Sequence, residues 1–541
     1  MMKAAVQGEQ NARPPFLVIA AFIALFVIGL AFCIAKSGYF VDEIYTYGLS
    51  NSYYAPFLKS AYDDDITGKV IDRATLVEYV QVDEGQQFAF DSVFYNQSKD
   101  VHPPLYYCIV HLVSSFLPGV FSKWIGLAIN LVFFGLTLFF LYRLSRELLD
   151  SWGAAALVVI TYGVSQACLS TLVLIRMYML MSLCTVLFAY VLLRLHRKPQ
   201  PLAYVTLFVV AYCGMLTQYL FVVYVGLLSV AYVAYLVVGK RAWKQAVLYA
   251  AAVVLAGCAM LVTFPAMFEQ MSDVTGRFGP VESVPSTTYL IAIACKYLCT
   301  SCLFMTLLCV AFALCGAWMR IHHRGERAAS GVEPMAWIIV IPACLAFFLV
   351  RIAWGYHDER YTFSVIPVMM VLVGLLYVWA RNAGAFKRIT HAAPLCCIAV
   401  FVLSVVLDVA VLQPNYMMYQ DPERTAFAQE HASDPVLYFV STYRDAAMTN
   451  DFEQLVKYDS ICTVNADGPY DESQELVSEY LARYPEDAPV VVYIQTYSTS
   501  PDPQVMLDWL YDSFGLKAPS FVYESDLSET YVIVPCQTKE T

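Results

Sequence analysis

The sequence predicts an α-helical polytopic membrane protein of about eleven transmembrane helices, with juxtamembrane helices in the first outer loop and a small extracytoplasmic α/β domain at the end. Composition is the first observation behind this. Of 541 residues, 59% are hydrophobic and only 14% charged, with a mean hydropathy of +0.58, whereas a soluble chain carries about a quarter charged residues. Length is the second, because the apolar runs reach about 20 residues, enough to carry a helix through a hydrocarbon core of about 30 Å. Period is the third: no run alternates as a strand would, and in lipid only a helix or a closed barrel satisfies its own backbone.

Taken in order, the runs lie near 16–35, 124–142, 152–174, 177–193, 202–216, 219–238, 246–264, 289–319, 335–354, 361–380 and 392–412. The first exceeds a signal-peptide core and lacks an A-x-A cleavage site, so it is expected to remain as an anchor. Residues 103–117, PPLYYCIVHLVSSFL, are apolar but only fifteen long and stop at Pro118-Gly119. Whether they cross decides the side of every later loop, and basic residues, which collect in short cytoplasmic loops, arbitrate. With 103–117 at the interface, the clusters at 3–13, 143–146, 194–198, 240–244, 320–327 and 381–388 all fall inside, 16 of the 33 Lys and Arg. With a crossing there, most would face outward. The segment is therefore expected to be a juxtamembrane helix, with the N-terminus cytoplasmic.

Eleven crossings then divide the chain into a transmembrane module over 1–412, with its outer loop at 36–123, and an extracytoplasmic domain over 413–541. Both outer segments are acidic: Lys36 to His102 carries eleven acids against five bases, and Gln413 to Thr541 twenty-two against six. Apolar β-rich runs at 436–441, 489–495 and 531–535, with a helical pattern at 472–483, mark the tail as α/β. Its cysteines, Cys462 and Cys536, are candidates to pair, while the other fourteen of the sixteen lie before residue 400 and read as small buried hydrophobes. The net charge of −11 excludes nucleic acid as a partner, since neutralising phosphates needs a basic patch.

Ionisable residues near lipid are expensive, so they mark function. Here they gather at one boundary: Asp42 and Glu43 after the first span, Arg176 between the third and fourth, Lys296 in the eighth, Arg351 near the end of the ninth, and His357-Asp358-Glu359-Arg360 in the turn that follows. Snorkelling to the interface would explain Lys296 and Arg351 equally well. Cys299-Thr-Ser-Cys302 has C-x-x-C spacing but no second pair, Asn96-Gln97-Ser98 is a glycosylation sequon, and no Walker loop or G-x-G-x-x-G string is present.

The ordered set of local strings, YFVDEIYTYGLSNS at 39–52, Asp100-Val-His-Pro-Pro-Leu-Tyr-Tyr107, Arg176-Met-Tyr178, Gln218-Tyr219 and Glu359-Arg360-Tyr361, resembles the GT-C superfamily of membrane glycosyltransferases. The glycosyltransferase family 39 type, with the protein O-mannosyltransferases and lipid A aminoarabinose transferases, is the nearest in pattern. The resemblance covers roughly residues 15 to 380, and its specific part is the Asp-Glu pair combined with HPPLYY. The chain departs from the pattern at Leu174, where many relatives have an acid, and at Gln218, where many have His.

The resemblance implies an enzyme moving a sugar from a polyprenyl-phosphate carrier to a lipid, glycan or protein hydroxyl at the outer membrane face. A lipid donor accounts for the lack of a nucleotide string. Asp42, with Glu43 beside it, is the expected catalytic base. Arg176 and Arg360, then Arg351 and Lys296, are the expected cations for the donor phosphate. Asp100, His102, Tyr106, Gln218, Tyr219 and His357 are assigned to the acceptor side and its loop. No cofactor is required, although a divalent cation held with Asp100 stays open. The alternative is a carrier or flippase for a lipid-linked sugar, against which the one-sided charge counts, since carriers bind near the midplane.

Overall fold

The structure, a computed structural model, describes residues 16–58, 66–270, 286–322, 333–353, 358–385, 395–396, 398–399, 401–403, 406–407, 413–418, 421–440, 446–496, 502–517 and 519–534. The chain forms two compact units, Met1–Lys36 with Val101–Tyr106 and Gly126–Met417, and Ser37–Asp100 with Tyr107–Ile125 and Met418–Thr541. They interleave along the sequence.

The first unit is helical. Among the described residues, eight helices are long and apolar enough to cross a membrane: Phe16–Ala35, Lys123–Leu149, Tyr178–Arg197, Phe221–Gly239, Trp243–Thr263, Leu303–His322, Pro334–Arg351 and Glu359–Asn382. The pair Trp152–Gly163 and Gln166–Val173, bent by 57°, is long and apolar enough when taken together, as a broken span or a re-entrant loop. The bend has a local cause, because the Ser165 hydroxyl accepts from Cys168 N at 3.3 Å and starts a new helix where the old one would have continued. Pro201–Thr217 is a shorter apolar helix of 17 residues. The single run expected over 289–319 is corrected to two helices, Thr287–Ser301 and Leu303–His322. They break at Cys302, where Thr306 Oγ1 takes the Leu298 and Cys302 carbonyls at 3.4 and 3.3 Å and competes with the helical ladder. Most of 392–412 lies outside the described residues. The segment read as juxtamembrane is the helix Leu105–Ser115, whose 11 residues rise only about 16 Å.

One end of this unit is a belt of ion pairs. Arg197 holds Glu147 at 2.8 Å and Glu333 at 2.7 Å, and Arg194 reaches Glu147 at 3.3 Å. The last turns of Lys123–Leu149 and Tyr178–Arg197 therefore meet the start of Pro334–Ala353. The start of Tyr178–Arg197, just after Arg176, and the last turn of Pro334–Ala353, which carries Arg351, accordingly lie at the opposite end.

The second unit is built on a six-stranded sheet of β1 (Val70–Asp72), β2 (Val436–Val440), β3 (Ser460–Asn465), β4 (Val490–Gln495), β5 (Ser520–Glu524) and β6 (Ser528–Ile533), in the order β1-β3-β2-β4-β6-β5. The three central strands β3, β2 and β4 are parallel, and the pairs β1·β3, β4·β6 and β5·β6 are antiparallel. The edge strand β1 comes from the first long loop. Leu437, Phe439, Val492 and Ile494 point to an apolar core with Met506 and Leu510 of helix Pro503–Phe514 and Val477 of Gln474–Leu481. Period two sends Tyr438 and Tyr493 to the other face, where they stack at 5.5 Å. There Asp451, fully buried, accepts from Tyr438 at 3.1 Å and Ser528 at 2.5 Å and pairs with Arg424 at 3.1 Å. Asn96 of the sequon is also fully buried in this unit, its amide donating to Ser52 O at 2.8 Å, so it is not a surface acceptor for a glycan. Cys462 lies in β3, and its proposed partner Cys536 is outside the described residues.

Removing the cation from a buried pair leaves an uncompensated charge, which costs about 3–5 kcal/mol. Arg424→Ala is therefore expected to destabilise the tail fold by that amount, seen as faster backbone hydrogen exchange across 436–440 and 446–455. Unchanged exchange there would show that the Asp451 cluster does not hold the domain together.

Candidate active site

Arg351, Arg360 and, through Tyr178, the segment of Arg176 meet at the turn that opens Glu359–Val365. Arg351, 3% exposed, donates to Asp358 O at 2.8 Å and Thr362 Oγ1 at 3.1 Å, and its guanidinium lies 4.1 Å from the Tyr297 ring centroid. These contacts tie the guanidinium to the turn and to helix Thr287–Ser301. Arg360 Nε pairs with Asp358 Oδ2 at 2.8 Å, and Asp358 Oδ1 accepts from Arg360 N at 3.1 Å. Arg176, 4% exposed, sits in the short link between Gln166–Val173 and Tyr178–Arg197. The two guanidinium-bearing segments meet through Tyr178 and Tyr361, whose rings are edge to face at 6.2 Å. Lys296 is exposed on Thr287–Ser301. His357 lies outside the described residues.

Several partners carry no obvious sequence signal. Tyr416 donates to Asp358 Oδ1 at 2.6 Å, Asn415 Nδ2 donates to Glu359 at 3.4 Å, and the Ser301 hydroxyl also donates to Glu359. Burial, then the charge of Asp358, pushes the Tyr416 phenol far above its ordinary range, so it stays a proton donor to that carboxylate. Tyr416 adopts φ of 64°, unusual for a non-glycine residue, and Lys36 Nζ holds its carbonyl at 2.5 Å. Segment 413–417 is further tied by Asn415 N to Ser170 Oγ at 2.9 Å. Asn130 is the other omission. A polar residue inside an apolar span, it receives the Tyr106 hydroxyl at 3.1 Å and donates to Leu172 O and Leu174 O at 3.1 and 2.7 Å. Tyr106 therefore acts through Asn130 on the strand-like link that presents Arg176. His102 is half-buried ahead of Pro103-Pro104. Gln218, 4% exposed, ends Pro201–Thr217, and Tyr219 donates to Gln270 at 2.6 Å.

The acid pair belongs to the second unit. Asp42 and Glu43 form the first turn of helix Val41–Asn51. Glu43, fully buried, reaches back to Phe40 N at 2.7 Å, the returning half of a capping box. Asp42 is half-buried, and its carbonyl accepts from Thr46 at 2.9 Å. Of the two acids, Glu43 is committed to starting the helix. The far end of the helix needs Gly48, because a Cβ there would lie 2.0 Å from Tyr79 Cζ. Asn51 adds a bond to Val80 O at 2.8 Å. Asp100 caps helix Phe90–Lys99 with its backbone N–H on Gln97 O at 3.2 Å.

Comparison with known proteins adds to this geometry. Residues 101–265 match the family described as dolichyl-phosphate-mannose-protein mannosyltransferase, a stretch containing His102, Tyr106, Arg176, Gln218 and Tyr219. No curated protein matches the sequence. Among solved structures, ArnT from Cupriavidus metallidurans bound to undecaprenyl phosphate aligns with a TM-score of 0.51 at 12% identity, covering 95% of this chain and 97% of that one. The archaeal oligosaccharyltransferase AglB from Archaeoglobus fulgidus, in complex with an inhibitory peptide and a dolichol-phosphate, aligns at 0.46 and 11% identity over 97% of this chain and 75% of its own. The chain has an ArnT-like fold, in a multi-pass membrane protein.

Arg351→Lys tests the hold of Arg351 on the turn. A single ammonium cannot fork to Asp358 O and Thr362 Oγ1 while lying flat on Tyr297, so at least one charged hydrogen bond, worth about 1.5–3 kcal/mol, is lost. A lower unfolding midpoint in detergent is the expected result. Equal midpoints would assign Arg351 no holding role.

Proposed function

We propose that this protein, with its ArnT-like fold, is a glycosyltransferase that moves a sugar from a polyprenyl-phosphate donor to a hydroxyl acceptor at the extracytoplasmic face of the membrane, inverting the anomeric carbon. The observation that carries the reading is the pair of guanidinium segments around buried Arg176 and half-buried Arg360 at the end of the first unit opposite its ion-pair belt. The family match over 101–265, which includes Arg176, supports it.

In the proposed reaction the acceptor O–H gives its proton to Asp42 as the acceptor oxygen bonds to the anomeric carbon. The bond from that carbon to the phosphate oxygen breaks, and polyprenyl phosphate leaves with the electron pair. Growing charge on the phosphate favours preorganised guanidinium groups over flexible ammonium ones, so Arg176 and Arg360 are assigned to it. Arg351 acts through the turn, and exposed Lys296 serves incoming phosphate. Asp42 is preferred to Glu43 as base because Glu43 is occupied with Phe40 N. Asp100, His102, Gln218, Tyr219 and His357 remain assigned to the acceptor and its loop. Transfer is proposed to need no cofactor.

In membranes supplied with a panel of polyprenyl-phosphate sugars, wild-type protein is expected to transfer label from one donor, and Asp42→Asn at matched expression to abolish transfer while keeping donor binding. Binding of a donor, followed by its relocation across liposomes without transfer, would replace the enzyme by a carrier. Arg360→Ala should lower the rate about 10²- to 10³-fold, the usual cost of one lost stabiliser of developing charge. A wild-type rate would remove Arg360 from the site. Chelation by EDTA is expected to leave transfer unchanged, whereas a loss restored by added Mg²⁺ or Mn²⁺ would put a metal in the mechanism.

A further inference from the structure

The helix that presents Asp42 is gripped at its start by the tail of the chain. Three residues lead into it, and each backbone N–H is spoken for. Gly38 N donates to Met418 O, Tyr39 N to Glu453 Oε2 at 3.1 Å, and Phe40 N to Glu43 Oε2 at 2.7 Å. The middle bond crosses 414 residues of sequence. It is backed by rings: Tyr39 stacks on Phe121 at 4.9 Å, and Phe121 meets Phe452, the neighbour of Glu453, edge to face at 5.8 Å. The approach is close enough that a Cβ on Gly38 would lie 2.6 Å from Met418 O and 3.0 Å from Glu453 Oε2. Glu453 itself stands on the short helix Phe452–Leu455, next to fully buried Asp451 and its bonds to the sheet. The far end of the Asp42 helix is held within the loop by Tyr79 and Val80, so the pitch of its first turn is set from the tail.

We propose that Glu453 is a positioning residue for Asp42, and that the tail domain serves the reaction by holding the first turn of the acid-pair helix in place. The proposal rests on the reading that Asp42 takes the acceptor proton. Glu453 touches neither substrate in this scheme. It accepts a backbone hydrogen bond three residues ahead of the base, and that is what its substitution would disturb.

The test is steady-state transfer by the full-length protein in nanodiscs, using the donor that supports wild-type activity. Glu453→Ala is expected to lower kcat about ten- to a hundred-fold, as a displaced catalytic group does, with donor KM within about two-fold of wild type. Glu453→Gln keeps an acceptor oxygen for Tyr39 N and should recover most of the rate. Gly38→Ala, which forces the same approach apart with Glu453 intact, should repeat the loss. A normal kcat in Glu453→Ala, or a rise in donor KM alone, would overturn the proposal. If Glu453→Ala does not accumulate, Glu453→Gln and Gly38→Ala carry the same comparison. A wild-type protein that transfers nothing, or an Asp42→Asn protein at full rate, overturns the functional reading and this proposal together. Dead Asp42→Asn beside normal Glu453→Ala overturns this proposal alone.

Discussion

A buried guanidinium with fixed partners organises the charged end of the membrane unit. Arg351 closes an apolar helix and would be costly there without acceptors. It finds them in Asp358 O and Thr362 Oγ1, with the Tyr297 face beneath it. Meeting that need fixes the turn, and the turn fixes Asp358, whose carboxylate then gathers Arg360 and Tyr416. Tyr416 in turn anchors the stretch leaving the last span, with Lys36 on its carbonyl. One desolvated charge thus propagates into an ordered set of side chains, each satisfied by the next.

The second unit obeys a different constraint. Strand β1 is three residues long, and a short edge strand of that kind has no independent stability; it exists because β3 offers it a ladder. The first loop and the tail therefore form one folded body around one sheet, although Gly126–Met417 of the membrane unit separates them in sequence. Within the described part of the loop, Asn96 donates to Ser52 and Asn51 to Val80 O, so these buried amides bond to protein instead of water. It also gives the tail a mechanical part in presenting Asp42, without any contact of its own with substrate.

Much of this was readable from pattern. Within the described residues, most apolar runs became helices close to where hydropathy put them, since twenty consecutive apolar residues leave few alternatives in lipid. Strands β2, β4 and β6 were visible as short β-branched and aromatic runs. By contrast, β3, as SICTVN, and β5, as SFVYE, mix polar and apolar residues, and their neighbours create them more than their composition does. The breaks at Ser165 and Cys302 depend on one hydroxyl each and leave the hydropathy profile unchanged. Asn130 was legible in principle as a polar residue within an apolar span. Tyr416 and Asn415 were not, lying in an unremarkable link after the last run.

What the sequence determined by itself was solvent and chemistry type: a helical membrane body, acidic polar segments, and a short roster of acids and guanidinium groups too expensive to be idle. Those follow from transfer free energies, which belong to each residue wherever it sits. Tertiary structure decided which of them are committed. Glu43 is used up by Phe40 N, Arg351 by the Asp358 turn and Tyr106 by Asn130, while Glu453, an ordinary acid in a polar tail, is placed against Tyr39. Hydrogen bonds are short and directional, so their pairing depends on distances between segments far apart in the chain, and only the folded backbone sets those distances.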